Sequence, residues 1–164
     1  MASGPDAPGP DAPGPGRSRH DDRARSRRAA RRFALASVFE AEFGQRTPEA
    51  ILERHLATEA DPATGAFARE LVANVVRHRD ELDARIGAVA PQYPVVSLAR
   101  MDRALLRCAL CEVLHSPATP ARVAIAEWVE LARTYSGDPM RRLMNGVLGR
   151  VARDLDGTRR DTPV

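Results

Sequence analysis

The residues of this chain whose types and spacing could do chemistry are a run of arginines, a cysteine pair with a histidine, and one carboxylate. Arg23, Arg27 and Arg31 recur at i, i+4 and i+8, with Arg28 and Arg32 on the adjoining row. On a helix this places guanidinium groups along a stripe about 12 Å long. Like charges at that spacing repel, and a polyanion laid along them relieves the repulsion by neutralisation and counterion release, the largest contribution to nucleic-acid affinity. The competing reading is a solvated, frayed helix end whose arginines reflect codon bias. On the first reading, replacing Arg27 and Arg31 with alanine flattens the salt dependence of nucleic-acid binding by about two phosphate equivalents, ~0.7 each for a single strand.

Cys108-Ala-Leu-Cys111 followed by His115 imitates a metal or redox motif, since i, i+3 and i+7 share a helical face. No fourth Cys or nearby His completes a tetrahedral set, and a catalytic CxxC belongs at a helix N-terminus where the dipole lowers the thiol pKa. Both cysteines therefore read as small core residues. Glu112, on a mostly apolar helix, reads as a partly buried carboxylate that needs a partner such as an arginine from another helix. His78 has no second histidine at i+4 and reads as a structural, half-buried residue. There is no GxSxG, no HExxH and no glycine-rich phosphate loop, so no catalytic residue, metal or cofactor is nominated and the chain is not expected to be an enzyme.

The elements that must position these residues follow from composition and periodicity. A chain of 164 residues is one domain's worth, and with 43% hydrophobic but 4% aromatic residues its core is aliphatic and alanine-rich. Neither a run of 18 apolar residues nor an apolar leader segment is present, which predicts a cytoplasmic protein with no membrane span. The formal net charge of +3 is unevenly spread: residues 17–32 hold eight arginines against Asp21 and Asp22, whereas the remainder is nearly balanced. All the basic side chains are arginine.

Residues 1–21 form a Pro/Gly-rich tail in which Pro-Asp-Ala-Pro-Gly occurs twice, and they are expected to be disordered. A helix is predicted from Asp22, capped by Asp21 or Asp22, to Gly44. Thr47-Pro48 opens a second with Ile51, Leu52, His55 and Leu56 inward. Asp61-Pro62 opens a long third that keeps its period through Phe67, Leu71, Val75, His78, Leu82 and Ile86 as far as Pro91. Residues 97–115 carry so wide an apolar arc that they must be packed on several sides, a hub helix capped by Ser97. Pro120 to Tyr135 makes a fifth helix, with Ile125, Trp128, Ala132 and Tyr135 on one face. Asp138-Pro139 starts a sixth, with Leu143, Val147, Val151 and Leu155 on its buried line. The folded part is residues 22–156, followed by a loose polar tail at 157–164.

Five segments in order resemble the NusB family of transcription antitermination factors. They are the Arg27-Arg28-Ala-Ala-Arg31-Arg32-Phe run, Phe67-x-x-Glu70-Leu-Val72, Met101-Asp102-Arg103-Ala104-Leu105-Leu106-Arg107, Pro120-x-x-Val123-Ala-Ile125-x-Glu127 and Met144-Asn145-Gly146-Val147-Leu148. The resemblance covers about residues 25–155. It implies an all-α, compact bundle of about six to seven helices in two helical subdomains. It further implies binding to the single-stranded boxA element of ribosomal-RNA leader transcripts together with NusE, a ribosomal protein, so that the RNA polymerase elongation complex reads through. It assigns Arg27, Arg28 and Arg31 to RNA contact, with Arg23 and Arg32 on the same stripe, and adds Arg142, Leu143 and Asn145 at the start of the sixth helix. Asp102 occupies an acidic position that faces NusE in relatives, and Asp138 lies beside another. The chain departs from the family where an aromatic is replaced by Leu143, where an asparagine before Glu127 is replaced by Ala126, and in the long Pro/Gly tail. The alternatives are a protein–protein scaffold or homodimer, and a detached NusB-like accessory domain of rRNA methylation.

Overall fold

The computed structural model describes residues 18–59 and 61–160, which fold into seven α-helices with no strand among them. They are α1 (Arg19–Ala41), α2 (Pro48–Leu56), α3 (Pro62–Arg77), α4 (Arg79–Val89), α5 (Arg100–His115), α6 (Ala121–Tyr135) and α7 (Asp138–Arg160), with a 3₁₀ turn at Val95–Ser97. Helices α1, α2 and α3 pack on one another as one group, and α4 to α7 form a second. The hub α5 joins them, touching α1, α3, α4, α6 and α7, and is buried without interruption from Ala104 to Glu112. One continuous core runs through both groups.

Local chemistry sets most of the helix ends. Thr47 Oγ1 accepts from the Ala50 amide at 3.2 Å, Asp61 accepts from Ala63 at 3.1 Å, and a proline follows each cap, as expected. Asp61 does more: it also takes hydrogen bonds from Ser26 on α1 and from Thr64 at 2.8 Å, so the start of α3 is tied to α1. Gly137 holds φ +105 after α6, and Gly44 holds φ +79 in the turn after α1.

Four boundaries differ from the sequence expectation. Helix α1 begins at Arg19, not Asp22, because Ser18 Oγ caps it at the Asp21 amide and leaves Asp21 and Asp22 in the first turn, where they complement the helix dipole. The expected tail thus contracts, and residues 1–17 lie outside the described residues. The long third helix is two helices: His78 leaves helical geometry (φ −106, ψ 16) and α4 restarts at Arg79 with Asp80 and Glu81 in its first turn. Ser97 does not cap the hub. It sits in the 3₁₀ turn and α5 has no side-chain cap; Arg103 donates back to the Val96 and Leu98 carbonyls at 3.1 and 3.0 Å, which ties that turn to the helix. Finally, residues 157–160 continue α7, with Arg159 and Arg160 in its last turn, where cations are favoured; 161–164 lie outside the described residues. Tyr135, expected on the inner face of α6, is exposed.

Candidate nucleic-acid interface

Arg31, which the resemblance assigns to RNA contact, is buried. Its side chain is 2% exposed, and its guanidinium donates two hydrogen bonds to Glu112 of α5, Nε to Oε2 at 2.9 Å and Nη2 to Oε1 at 2.7 Å. Trp128 Nε1 of α6 donates to the same carboxylate at 2.6 Å. Glu112, wholly buried, thereby has the arginine partner its setting demanded, and the group is satisfied from three helices. An arginine so enclosed offers nothing to a nucleic acid. Arg31 leaves the candidate surface, and the expected two-phosphate effect of the Arg27, Arg31 pair shrinks to the share of Arg27.

One turn earlier, Arg27 is half-buried. Its guanidinium carbon lies 4.4 Å from the centre of the Phe67 ring, and Nη1 donates to Thr119 Oγ1 in the α5–α6 turn. Burial, with the neighbouring charges of Arg23 and Arg31, lowers its pKa from the ordinary arginine value. Burial is the larger cause; the repulsion from Arg23 and Arg31 is the part that an incoming anion would relieve. Arg23 and Arg27 line a cleft of about 400 Å³ together with His20, Arg122 and the turn residues Ala118 to Pro120. Arg122 and His20 were missed from sequence: His20 lies one turn before Arg23 on α1 itself, while Arg122 is an isolated arginine that reaches the cleft only because the start of α6 lies beside α1.

Arg28 and Arg32 lie on the other side of α1, in a depression of about 340 Å³ shared with Glu130, Thr134 and Tyr135 of α6. Arg28 Nε bonds both oxygens of Glu127, at 3.0 and 3.2 Å, but its side chain stays 59% exposed. Glu127 also stands 3.8 Å from Arg31, so two arginines share it. The expected α7 residues line neither depression. Arg142 and Asn145 are exposed and Leu143 is half-buried against the core. Asp102, in the first turn of α5, accepts from Ser136 Oγ at 2.6 Å, and exposed Asp138 pairs with Arg141 at 3.1 Å. The bond to Ser136 brings Asp102 to the α6–α7 turn, from which Asp138 opens α7.

The cysteines are buried and neither is in a disulfide. Burial, and next the nearby charge of Glu112, pushes the Cys111 thiol up to about 12, and burial pushes Cys108 well above its ordinary value. Thiols held protonated in this way are poor nucleophiles. Among the described residues no helix is long and apolar enough to cross a membrane.

Fold and site together define an all-helical, two-group bundle that carries uncompensated guanidinium groups along the outer side of its first helix. Comparison with known proteins makes this specific. The sequence pattern of the NusB family matches residues 28–153, and the chain belongs to that family. It is 38% identical over 141 residues to the transcription antitermination protein NusB of Symbiobacterium thermophilum, covering 80% of this chain and 92% of that one. It is 37% identical over 134 residues to the NusB of Dehalococcoides mccartyi, covering 81% and 94%. Among solved structures, NusB of T. maritima superposes with a TM-score of 0.73 at 28% identity, covering 77% of this chain and 90% of that one. A structure of the antitermination factors NusB and NusE in complex with double-stranded RNA matches with a TM-score of 0.71 at 20% identity, covering 79% and 98%.

Proposed function

We propose that this NusB-family chain acts in transcription antitermination by binding boxA-type leader RNA along the α1–α6 cleft while a NusE-like protein binds at the Asp102 and Asp138 corner, the assembly then engaging RNA polymerase in the cytoplasm. The observation that carries the reading is the cleft itself, in which Arg23, Arg27 and Arg122 converge with His20 around a space wide enough for a phosphate and its sugar. Phosphate contacts fix register and orientation, while sequence preference comes from bases splayed out of a single strand. Arg28 and Arg32 extend the basic track beyond the cleft, and Arg142, Leu143 and Asn145 supply a second contact at the start of α7. The solved complex of a NusB with NusE and RNA supports the choice of partners. Leu143 offers no stacking platform, so base stacking worth about 1–3 kcal/mol per base is not part of this reading.

The test is RNA binding by fluorescence anisotropy across salt concentrations, comparing boxA with a scrambled oligonucleotide, single- and double-stranded, with and without purified NusE. Substituting Arg23→Ala, Arg27→Ala and Arg122→Ala together is expected to lower the magnitude of the log–log salt slope for a single strand by about 2, at ~0.7 per lost phosphate contact. Circular dichroism checks that the bundle is intact. An unchanged slope would remove the cleft from the RNA surface, and a sedimenting dimer with no RNA-dependent shift would favour a scaffold instead.

A further inference from the structure

The break between α3 and α4 creates a cluster that the arginine face does not use. His78, at the break, and His115, at the end of α5, stack with ring centres 3.7 Å apart and planes 7° from parallel. Glu81, in the first turn of α4, points one carboxylate oxygen at both: Oε2 is 3.2 Å from His78 Nδ1 and 3.4 Å from His115 Nε2. The three donor atoms all lie within 4.8 Å of one another. His115 Nε2 is buried and, among the described residues, makes no well-formed hydrogen bond, its contact with Glu81 being the longer of the two. From sequence, His78 lacked a second histidine at i+4. The fold supplies one from the far end of the hub helix.

We infer that His78, Glu81 and His115 form a binding site for a divalent ion of the zinc type. Bonds of about 2.0–2.1 Å to nitrogen and oxygen in a tetrahedron place neighbouring donors about 3.3–3.4 Å apart, which is the spacing of the shared carboxylate oxygen from the two imidazole nitrogens. Two imidazoles and one carboxylate match the ligand preference of zinc and leave the fourth position to water. All three side chains are partly exposed, so the ion and its water have a route in. An imidazole presents its lone pair in the plane of the ring. Parallel rings therefore cannot both face one ion, and coordination turns one of them about χ2, a broad and soft torsion. The turn gives the buried Nε2 of His115 the partner it lacks.

Charge near the site makes Glu81 decisive. Arg85, one turn along α4, adds a positive charge that acts on His115, and Glu81 is the carboxylate that opposes it there. Cys111, one turn before His115, feels Glu81 as well, so the thiol is the rival donor to exclude. An ion held here joins the start of α4 to the end of the hub and, because the unfolded chain does not assemble the three donors, stabilises the fold by mass action.

The experiment titrates untagged full-length protein with cobalt(II), then displaces it with zinc(II), reading the visible d–d absorption and the melting temperature. The expected result is one equivalent of cobalt with the intensity of a four-coordinate nitrogen–oxygen site, displaced by zinc, and a zinc-dependent rise in melting temperature. His115→Ala and Glu81→Gln are each expected to weaken binding at least about tenfold, since even loss of an outer-shell partner costs that much, and to abolish the rise. Glu81 is exposed, so its variant keeps the test valid if the histidine variant unfolds. Cys111→Ala is expected to bind as the parent does. The inference fails if no binding occurs below millimolar metal, if Glu81→Gln binds unchanged, or if a thiolate-to-cobalt charge-transfer band survives in His115→Ala and disappears in Cys111→Ala.

Discussion

Arg27 and Arg31 stand one helical turn apart with the same side chain, yet one opens into the cleft and the other, at its floor, is 2% exposed. The difference lies in what stands opposite. Arg27 meets a ring face and a hydroxyl, whereas Arg31 meets the fully buried Glu112 carboxylate with the Trp128 indole already on it. The sequence assigns Arg31 to the basic stripe and gives Glu112 an unspecified arginine from another helix, without joining the two. Periodicity places a residue on a helix face but not that face against its neighbour, so the spacing alone could not pair them. Breaking a buried pair leaves an uncompensated charge and is strongly destabilising, while replacing both partners with neutral side chains of similar size is often tolerated. Arg31→Ala is therefore expected to lower the unfolding free energy by about 3–5 kcal/mol, read from urea denaturation. Arg31→Met with Glu112→Gln, which keeps an acceptor for Trp128, is expected to recover most of that loss. A double variant no more stable than the single one would mean the pair is not what holds the three helices.

At the scale of elements, caps were more legible than continuity. Thr47-Pro48 and Asp61-Pro62 announce their helices because a side-chain acceptor followed by proline satisfies the first turn by itself. The α3–α4 break carries neither glycine nor proline, and the apolar line from Phe67 to Ile86 runs through it. The signal that remains is a charge reversal, Arg77 in a last turn followed by Asp80 and Glu81 in a first. The hub was legible from its wide apolar arc, though not its start: Ser97 falls in the 3₁₀ turn, and α5 opens without a side-chain cap. Arg107 is tied to Asp83 of α4 and to Glu42 beyond α1, a link that no local pattern contains. The cap of α3 gives a pH prediction. Hydrogen bonds from Ser26 first, then from Thr64 and the Ala63 amide, hold the Asp61 carboxyl below its ordinary value of 3.8. A carboxyl lowered in the folded state adds stability that is complete above the unfolded value and is lost as pH falls through the folded one. Denaturation at a series of pH values is expected to show Asp61→Asn less stable than the parent near neutrality, with the two curves converging below about pH 4. Parallel curves would mean the charge of Asp61 contributes nothing.

For the whole molecule, what counts is that the two proposed contacts sit on different parts of the bundle. The arginine cleft lies between the first half of α1 and the start of α6, while Asp102 and Asp138 stand at the other end of α6, where Ser136 ties the start of α5 to the α6–α7 turn. The two ends are linked through α6, whose Glu127 and Trp128 hold the Arg31 and Glu112 network at mid-length. If RNA and a NusE-like partner bind these two places, their affinities are coupled through a rigid, packed helix. Linkage then requires the factor by which the partner raises RNA affinity to equal the factor by which RNA raises partner affinity. Asp102→Asn keeps an oxygen for Ser136 and removes only the charge. It is expected to weaken partner binding and the RNA-enhanced assembly while leaving the affinity for RNA alone, and its salt slope, unchanged. Arg23→Ala with Arg27→Ala is expected to do the reverse. Isothermal titration of each binary and ternary combination measures all four affinities. A partner that leaves RNA affinity unchanged would mean that the two ends are not coupled, and a fall in RNA-only affinity for Asp102→Asn would mean that the acidic corner and the basic cleft are not the separate surfaces this arrangement requires.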